Sequence, residues 1–213
     1  MAPVTEFVFS TLKPTSSPES INPIFATLKS QPGNQAVRSS PTTEDPSQIR
    51  LLIDWDAISS HFAFRATDGY KAYLSSLAPH ATAPSKILHA ELTPFPPVVL
   101  DKSPVTEVLL VYFSPDADEV ATLALAKVLA EKLTAADIAG TTGLSAVGWS
   151  VEKDVVFKGE KTRALVVLLG WESVQAHETA RDTDAFKVAI TEFHDAAKGL
   201  KGFEIEHISA KAL

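Results

Sequence analysis

The sequence predicts an α+β protein built from two tandem modules, each in the βαββαβ order of ferredoxin-like units. Three observations predict it: an internal repeat, apolar runs of strand length ending at matched landmarks, and helical periodicity between them. Trp55 to Lys71 aligns without gaps on Trp171 to Lys187, 116 residues later. Identical pairs are Trp55/Trp171, His61/His177, Arg65/Arg181, Thr67/Thr183, Asp68/Asp184 and Lys71/Lys187. Average composition predicts about one such identity over that length. A second anchor sets Pro3-Val4-Thr5-Glu6 against Pro104-Val105-Thr106-Glu107. The modules are therefore residues 1–92 and 104–213, joined by a proline-rich, semi-rigid linker over 93–103.

The elements follow in order. Phe7 to Leu12 and Val108 to Phe113 are apolar runs of strand length, each closed by a nearby proline. Val120, Leu123, Ala124, Val128 and Leu133 recur near the helical period after an acidic start at Asp116 and Asp118. The matching segment Ile21 to Leu28 is a weaker helix, because Pro23 suits only a first turn. Gly143 to Val151 alternates as a strand should. Its counterpart, Gln31 to Gln48, is rich in Pro, Ser and Thr and reads as a loop. Leu51 to Ile53 and Leu165 to Leu169 are continuous apolar strands ending near the paired tryptophans. A second helix follows in each copy, marked by Tyr70, Tyr73, Leu74 and Leu77, and by Phe186, Ala189, Ile190, Phe193 and Ala197. Ile87 to Leu92 and Phe203 to Ser209 are the last strands. A four-stranded sheet with helices on one face leaves the other face to be covered, and two fused copies can cover it sheet on sheet.

Composition bounds the function. The chain of 213 residues is 45 % apolar and 21 % charged, with a net charge of −7. No basic block tracks a phosphate backbone, so nucleic acid is excluded as a partner class. There is no cysteine, which removes disulfides, thiolate catalysis and zinc–thiolate sites. No apolar run approaches a membrane span and no secretory signal is present, so a cytoplasmic protein without membrane contact is expected. The nine glycines never form G-x-G-x-x-G, and no H-E-x-x-H spacing occurs, so neither a cofactor nor a metal is expected.

Four of the six histidines form repeat-related pairs: His61/His177 near the start of the second helix, and His89/His207 on the last strand. A histidine facing the space between sheet and helices suits proton abstraction, since its ordinary pKa lies near 6.5. Trp55 and Trp171 are placed to wall an apolar pocket. The plainer readings are a core role for the tryptophans and backbone-bonded histidines. Arg65 with Asp68, and Arg181 with Asp184, have the spacing of solvated ion pairs on one helix. Asp54-x-Asp56 lacks the partner ligands of a metal site.

Trp171-Glu172-Ser173-Val174, with His177 and Asp184-x-Phe186 after it, resembles the dimeric α+β barrel superfamily, and in particular its tandem fungal-type, stress-responsive and antibiotic-biosynthesis-monooxygenase-like members. The resemblance implies an intramolecular dimeric α+β barrel. It also implies a cofactor-independent monooxygenase-like enzyme acting on an aromatic or polyketide-type molecule, the alternative being a non-catalytic stress-responsive or ligand-binding barrel. The expected partner is a small hydrophobic or aromatic ligand, with a homo-oligomer open. Polyketide cyclases of this fold carry His-Pro-x-His where Arg181 to Asp184 stand, and heme-degrading members place an axial histidine where Leu74 and Ile190 stand. Heme is therefore not expected.

Overall fold

The computed structural model describes residues 2–213 and divides into two compact units, one reaching to His89 and completed by Ala210–Leu213, the other spanning Ala90–Ser209. In the first unit the elements are β1 (Val4–Thr11), α1 (Pro18–Ala26), a 3₁₀ turn (Thr27–Ser30), β2 (Asn34–Pro41), β3 (Gln48–Trp55), α2 (Ile58–Arg65), α3 (Asp68–Leu77) and β4 (Lys86–Ala90). β1 pairs antiparallel with β3 from Val4↔Trp55 to Thr11↔Gln48. The strand order β2-β3-β1-β4 is that of a ferredoxin-like module. Helix α1 starts where Pro18 supplies a preset φ, and Ser20 Oγ accepts from the Ser17 N–H at 3.1 Å. Pro23 lies beyond the first turn, contrary to the expectation for that residue. The helix forgoes one backbone bond there while Ile21 and Phe25 are buried.

The loop expected over Gln31 to Gln48 is corrected by the structure, for its first half is β2, paired with β3 along Val37↔Ile53 and Ser39↔Leu51. Local composition hid it because the strand buries polar side chains whose partners are distant in sequence. Arg38 Nη1 donates to Asp54 Oδ2 at 2.8 Å, and Asp54 Oδ1 accepts from the Thr5 hydroxyl at 2.7 Å. Ser39 Oγ donates to Asn22 Oδ1 at 2.7 Å. Sheet pairing with these contacts overrides the weak β propensity of Ser, Asn and Pro. Asp54, weighed above for a metal site with Asp56, is an ion-pair partner.

The second unit holds α4 (Val99–Lys102), β5 (Val105–Phe113), α5 (Glu119–Leu133), β6 (Thr141–Trp149), β7 (Val155–Phe157), β8 (Glu160–Trp171), α6 (Val174–Arg181), α7 (Asp184–Ala196) and β9 (Leu200–Ile208). Its order β6-β8-β5-β9 repeats the first, with β7 folded back on β8 as a hairpin. Asp118 caps α5, accepting from the N–H groups of Val120 and Ala121, both at 3.0 Å. Gly199, at φ +76, closes the turn after α7.

Two features lie outside the expected layout. A final strand, β10 (Lys211–Ala212), pairs with the edge of β2 in the first unit. In the second unit the segment after β4 adds to β6: Glu91 N–H donates to Trp149 O at 3.1 Å, and Thr93 and Val147 exchange bonds of 2.9 and 3.0 Å. The proline-rich stretch read as a linker is thus paired at its start, and Val99 and Leu100 within it are buried. Gly148 permits the approach, because a Cβ there would stand 2.0 Å from Glu91 O.

The helix expected after each tryptophan is two helices. Thr67 Oγ1 accepts from Tyr70 N–H at 3.2 Å, and Thr183 Oγ1 from Phe186 N–H at 3.3 Å, so each threonine starts a new helix. Arg65 and Asp68 therefore do not share a helix surface, and Asp68 pairs with Lys71 at 2.8 Å instead. Arg181 and Asp184 are divided in the same way.

Candidate active site

In each module four side chains from four elements meet between sheet and helices. β5 is mostly apolar, and its Glu107 stands directly across from His207 on β9. Trp171 ends β8, and its indole N–H donates to Glu107 Oε2 at 3.0 Å. Two residues later Ser173 caps α6, which carries His177 over the sheet; its ring stacks on Trp171 at 4.7 Å between centroids. His177 Nδ1 lies 2.8 Å from His207 Nε2, and its Nε2 lies 3.4 Å from Glu107 Oε2. The four side chains are all buried.

The first module repeats the arrangement. Trp55 Nε1–H donates to Glu6 Oε2 at 2.8 Å and stacks on His61 at 5.4 Å. His61 Nδ1 lies 2.7 Å from His89 Nε2 and 3.4 Å from Glu6 Oε2. The six residues singled out from sequence, His61, His89, His177, His207, Trp55 and Trp171, thus gather three to a module. The glutamates were missed as site residues. Their signal was already in the repeat, since an acidic residue at the same place in two apolar strands, Glu6 and Glu107, has no use in a core unless it is paired.

Each cluster floors an apolar cavity under the second helix pair. In the second module the cavity has a volume of about 150 Å³ and touches Glu107, His177, Arg181, Phe186, Ile190 and Phe203. In the first it has about 250 Å³ and touches Glu6, His61, Trp55, Tyr70 and Tyr73. Trp55 lines its cavity, whereas Trp171 stacks on His177 and does not line the second cavity. His89 and His207 also lie behind their partners rather than on the cavity surface. Phe203 and Ile205, on the rim of the second cavity, are 60 % and 37 % exposed.

Burial pushes the Glu107 carboxyl above the usual carboxylate range, although the Trp171 hydrogen bond and the nearby His207 and Arg181 pull it back. Burial also pushes His177 down to about 4, with His207 and Arg181 acting in the same direction. Near neutral pH His177 is therefore an uncharged imidazole with one lone pair. The tautomer that carries its proton on Nδ1, donated to His207 Nε2, is the one that can act as a base at its own Nε2. At 3.4 Å the glutamate oxygen is too far to hold that nitrogen firmly, but near enough to stabilise an imidazolium.

The expectation of no metal came from local spacing, which does not show side chains that the fold brings together. One atom each from Glu6, His61 and His89, and one each from Glu107, His177 and His207, lie within 4.8 Å of one another.

No family model matches the sequence, and no curated protein matches it. Solved structures are similar in fold. An anthrone oxidase-like protein aligns over 100 % of this chain and 94 % of its own, with a TM-score of 0.68 and 14 % identity. A candidate monooxygenase from Lactobacillus acidophilus aligns over the full length of both chains at a TM-score of 0.60 and 10 % identity. A second, from Fusobacterium nucleatum, covers 99 % of this chain and 94 % of its own at 0.61 and 10 %. No helix is long and apolar enough to cross a membrane among the described residues. The chain thus shares the α+β fold of these structures, with two ferredoxin-like modules in tandem.

Proposed function

We propose that the protein is a monooxygenase-type enzyme that oxidises an activated methylene on an aromatic or polyketide-type small molecule, with its working site in the second module. The observation that carries this reading is the buried His177 at the floor of an apolar cavity, backed by His207 and faced by Glu107. A methylene between aryl or carbonyl groups loses a proton to His177 Nε2, and the resulting carbanion is electron-rich enough to meet molecular oxygen. The overall change, Ar–CH₂–Ar′ + O₂ → Ar–CO–Ar′ + H₂O, balances without an external reductant. Glu107 then faces an imidazolium, and Arg181 on the cavity wall can hold the substrate oxyanion. The anthrone oxidase-like neighbour supports this class of substrate. The second module is preferred because Arg181 lines its cavity, whereas its repeat partner Arg65 instead lies over the Phe62 ring, 5.8 Å from the ring centroid.

Cavity size favours a second reading. A volume of 150 Å³ admits one benzene-sized ring rather than a drug-sized ligand. A non-catalytic binding protein would take such a ring, with the rest of the ligand resting on Phe203 and Ile205. Oxygen uptake and quinone formation from an anthrone-like methylene separate the two. The oxygenase reading expects His177→Gln to lose about 10²–10⁴-fold in rate and His61→Gln to lose less than tenfold. Equal losses in the two variants remove the assignment to the second module. Saturable ligand binding without oxygen uptake leaves the binding protein.

A further inference from the structure

The two clusters also invite a ligand much smaller than any substrate. In each module two imidazoles and one carboxylate come from three separate elements and present donor atoms within 4.8 Å of one another. The N···N separations are 2.7 and 2.8 Å, and the nearest N···O separations are 3.4 Å in both modules. An ion with bonds of about 2.1 Å holds neighbouring donors about 3.0 Å apart in octahedral geometry and about 3.4 Å apart in tetrahedral geometry. In the first module both separations from His61 Nδ1 are therefore within a few tenths of an ångström of such a shell, whereas in the second they run to different nitrogens of His177. In the first module a single nitrogen, His61 Nδ1, faces both His89 and Glu6, so its donors converge most closely.

The repeat supplies independent support. Around the clusters the modules have drifted: Tyr70 is replaced by Phe186, Phe62 by Glu178, and Phe64 by Ala180. The Glu, both His and the Trp are retained. A hydrogen-bonded pair needs only one donor and one acceptor, and many polar residues supply those. Keeping imidazole at both positions with a buried carboxylate beside them suits a cation, which would neutralise that carboxylate. The indole N–H on each glutamate is the kind of outer hydrogen bond that orients a ligating carboxylate.

We propose that Glu6–His61–His89 and Glu107–His177–His207 are each a site for a divalent first-row transition-metal ion. Two imidazole nitrogens and one carboxylate oxygen hold it on one face. The remaining positions open to the cavity, which touches the glutamate and the helix-borne histidine in both modules. Nitrogen-rich sets with one carboxylate suit iron, cobalt, nickel or zinc rather than magnesium or calcium. The metal proposal does not rest on the oxygenase reading, because its test reads metal alone.

The full chain, stripped with chelator and desalted, is titrated with Co²⁺ and followed by visible absorption and by metal content after a second desalting. The expected result is two Co²⁺ per chain, falling to one in Glu6→Gln and one in Glu107→Gln, and to none in the double variant. Circular dichroism and the urea midpoint show that the variants remain folded. His89→Gln and His207→Gln repeat the test should a glutamate variant unfold. No retained Co²⁺ in the wild type, or retention unchanged in the double variant, overturns the proposal.

Discussion

Replacing Asp54 with alanine should take from the buried Arg38 guanidinium its carboxylate partner in the first sheet. Asp54 is fully buried and Arg38 is 3 % exposed, and the 2.8 Å bond between them is the ion pair of that strand pair. Breaking a buried pair from one side costs about 3–5 kcal/mol, because the remaining charge loses its opposite in a medium of low polarity. Thr5 loses its acceptor at the same time. Against a total stability of about 5–15 kcal/mol, the loss is large. With a urea slope of about 2 kcal/mol per M, a loss of 4 kcal/mol lowers the midpoint by about 2 M at constant slope. The double variant Arg38→Met with Asp54→Leu removes both charges and fills the space with apolar atoms. It should recover most of the loss, since well-packed apolar replacements of buried pairs are near neutral or better. A midpoint shift below about 0.5 M for Asp54→Ala, or a double variant no more stable than the single, would refute the reasoning.

Trp171→Phe keeps a ring against His177 but removes the donor to Glu107 Oε2, and should cost about 1–3 kcal/mol by urea titration; Trp55→Phe should cost a similar amount through Glu6. Gly148→Ala sets a methyl group against the Glu91 carbonyl, which should destabilise by about 1–3 kcal/mol and speed amide exchange at Thr93 and Val147. All three tyrosines ionise above their ordinary range: burial raises Tyr70 and Tyr73, and burial, followed by the bond to Glu204, raises Tyr112. The folded state then binds more protons than the unfolded state above pH 10, so stability falls as pH rises beyond that point. Phenolate absorbance should appear late and together with unfolding, and an ordinary titration centred at pH 10 in folded protein would contradict it.

The parts of this fold legible in the sequence are those whose neighbours are apolar on every side. β1, β3, β5 and β8 read as continuous hydrophobic runs because they lie inside their sheets, and α5 and α7 read by period because each buries one face. β2 was not legible, since Arg38 and Ser39 find partners in Asp54 and Asn22, and no window of local sequence contains both members of either pair. The break at Thr67 and Thr183 was readable and was missed: a threonine followed by aspartate, repeated in both modules, is a helix-start signal. At the site, the paired histidines and tryptophans stood out by repetition. Glu6 and Glu107 stood in the repeat as well, but served there only to align it. What turned an alignment mark into a site residue was the third dimension, where β1 and β5 carry each carboxylate beneath a tryptophan.

The strand ends carry a mechanical consequence. Residues 211–212 seal the edge of a sheet that begins at residue 4, and residues 91–93 seal the edge of a sheet completed by residue 208. Each seal is supplied by chain that follows the other module's last strand. Cutting the chain in half would leave a bare strand edge on each piece, able to recruit any extended peptide nearby.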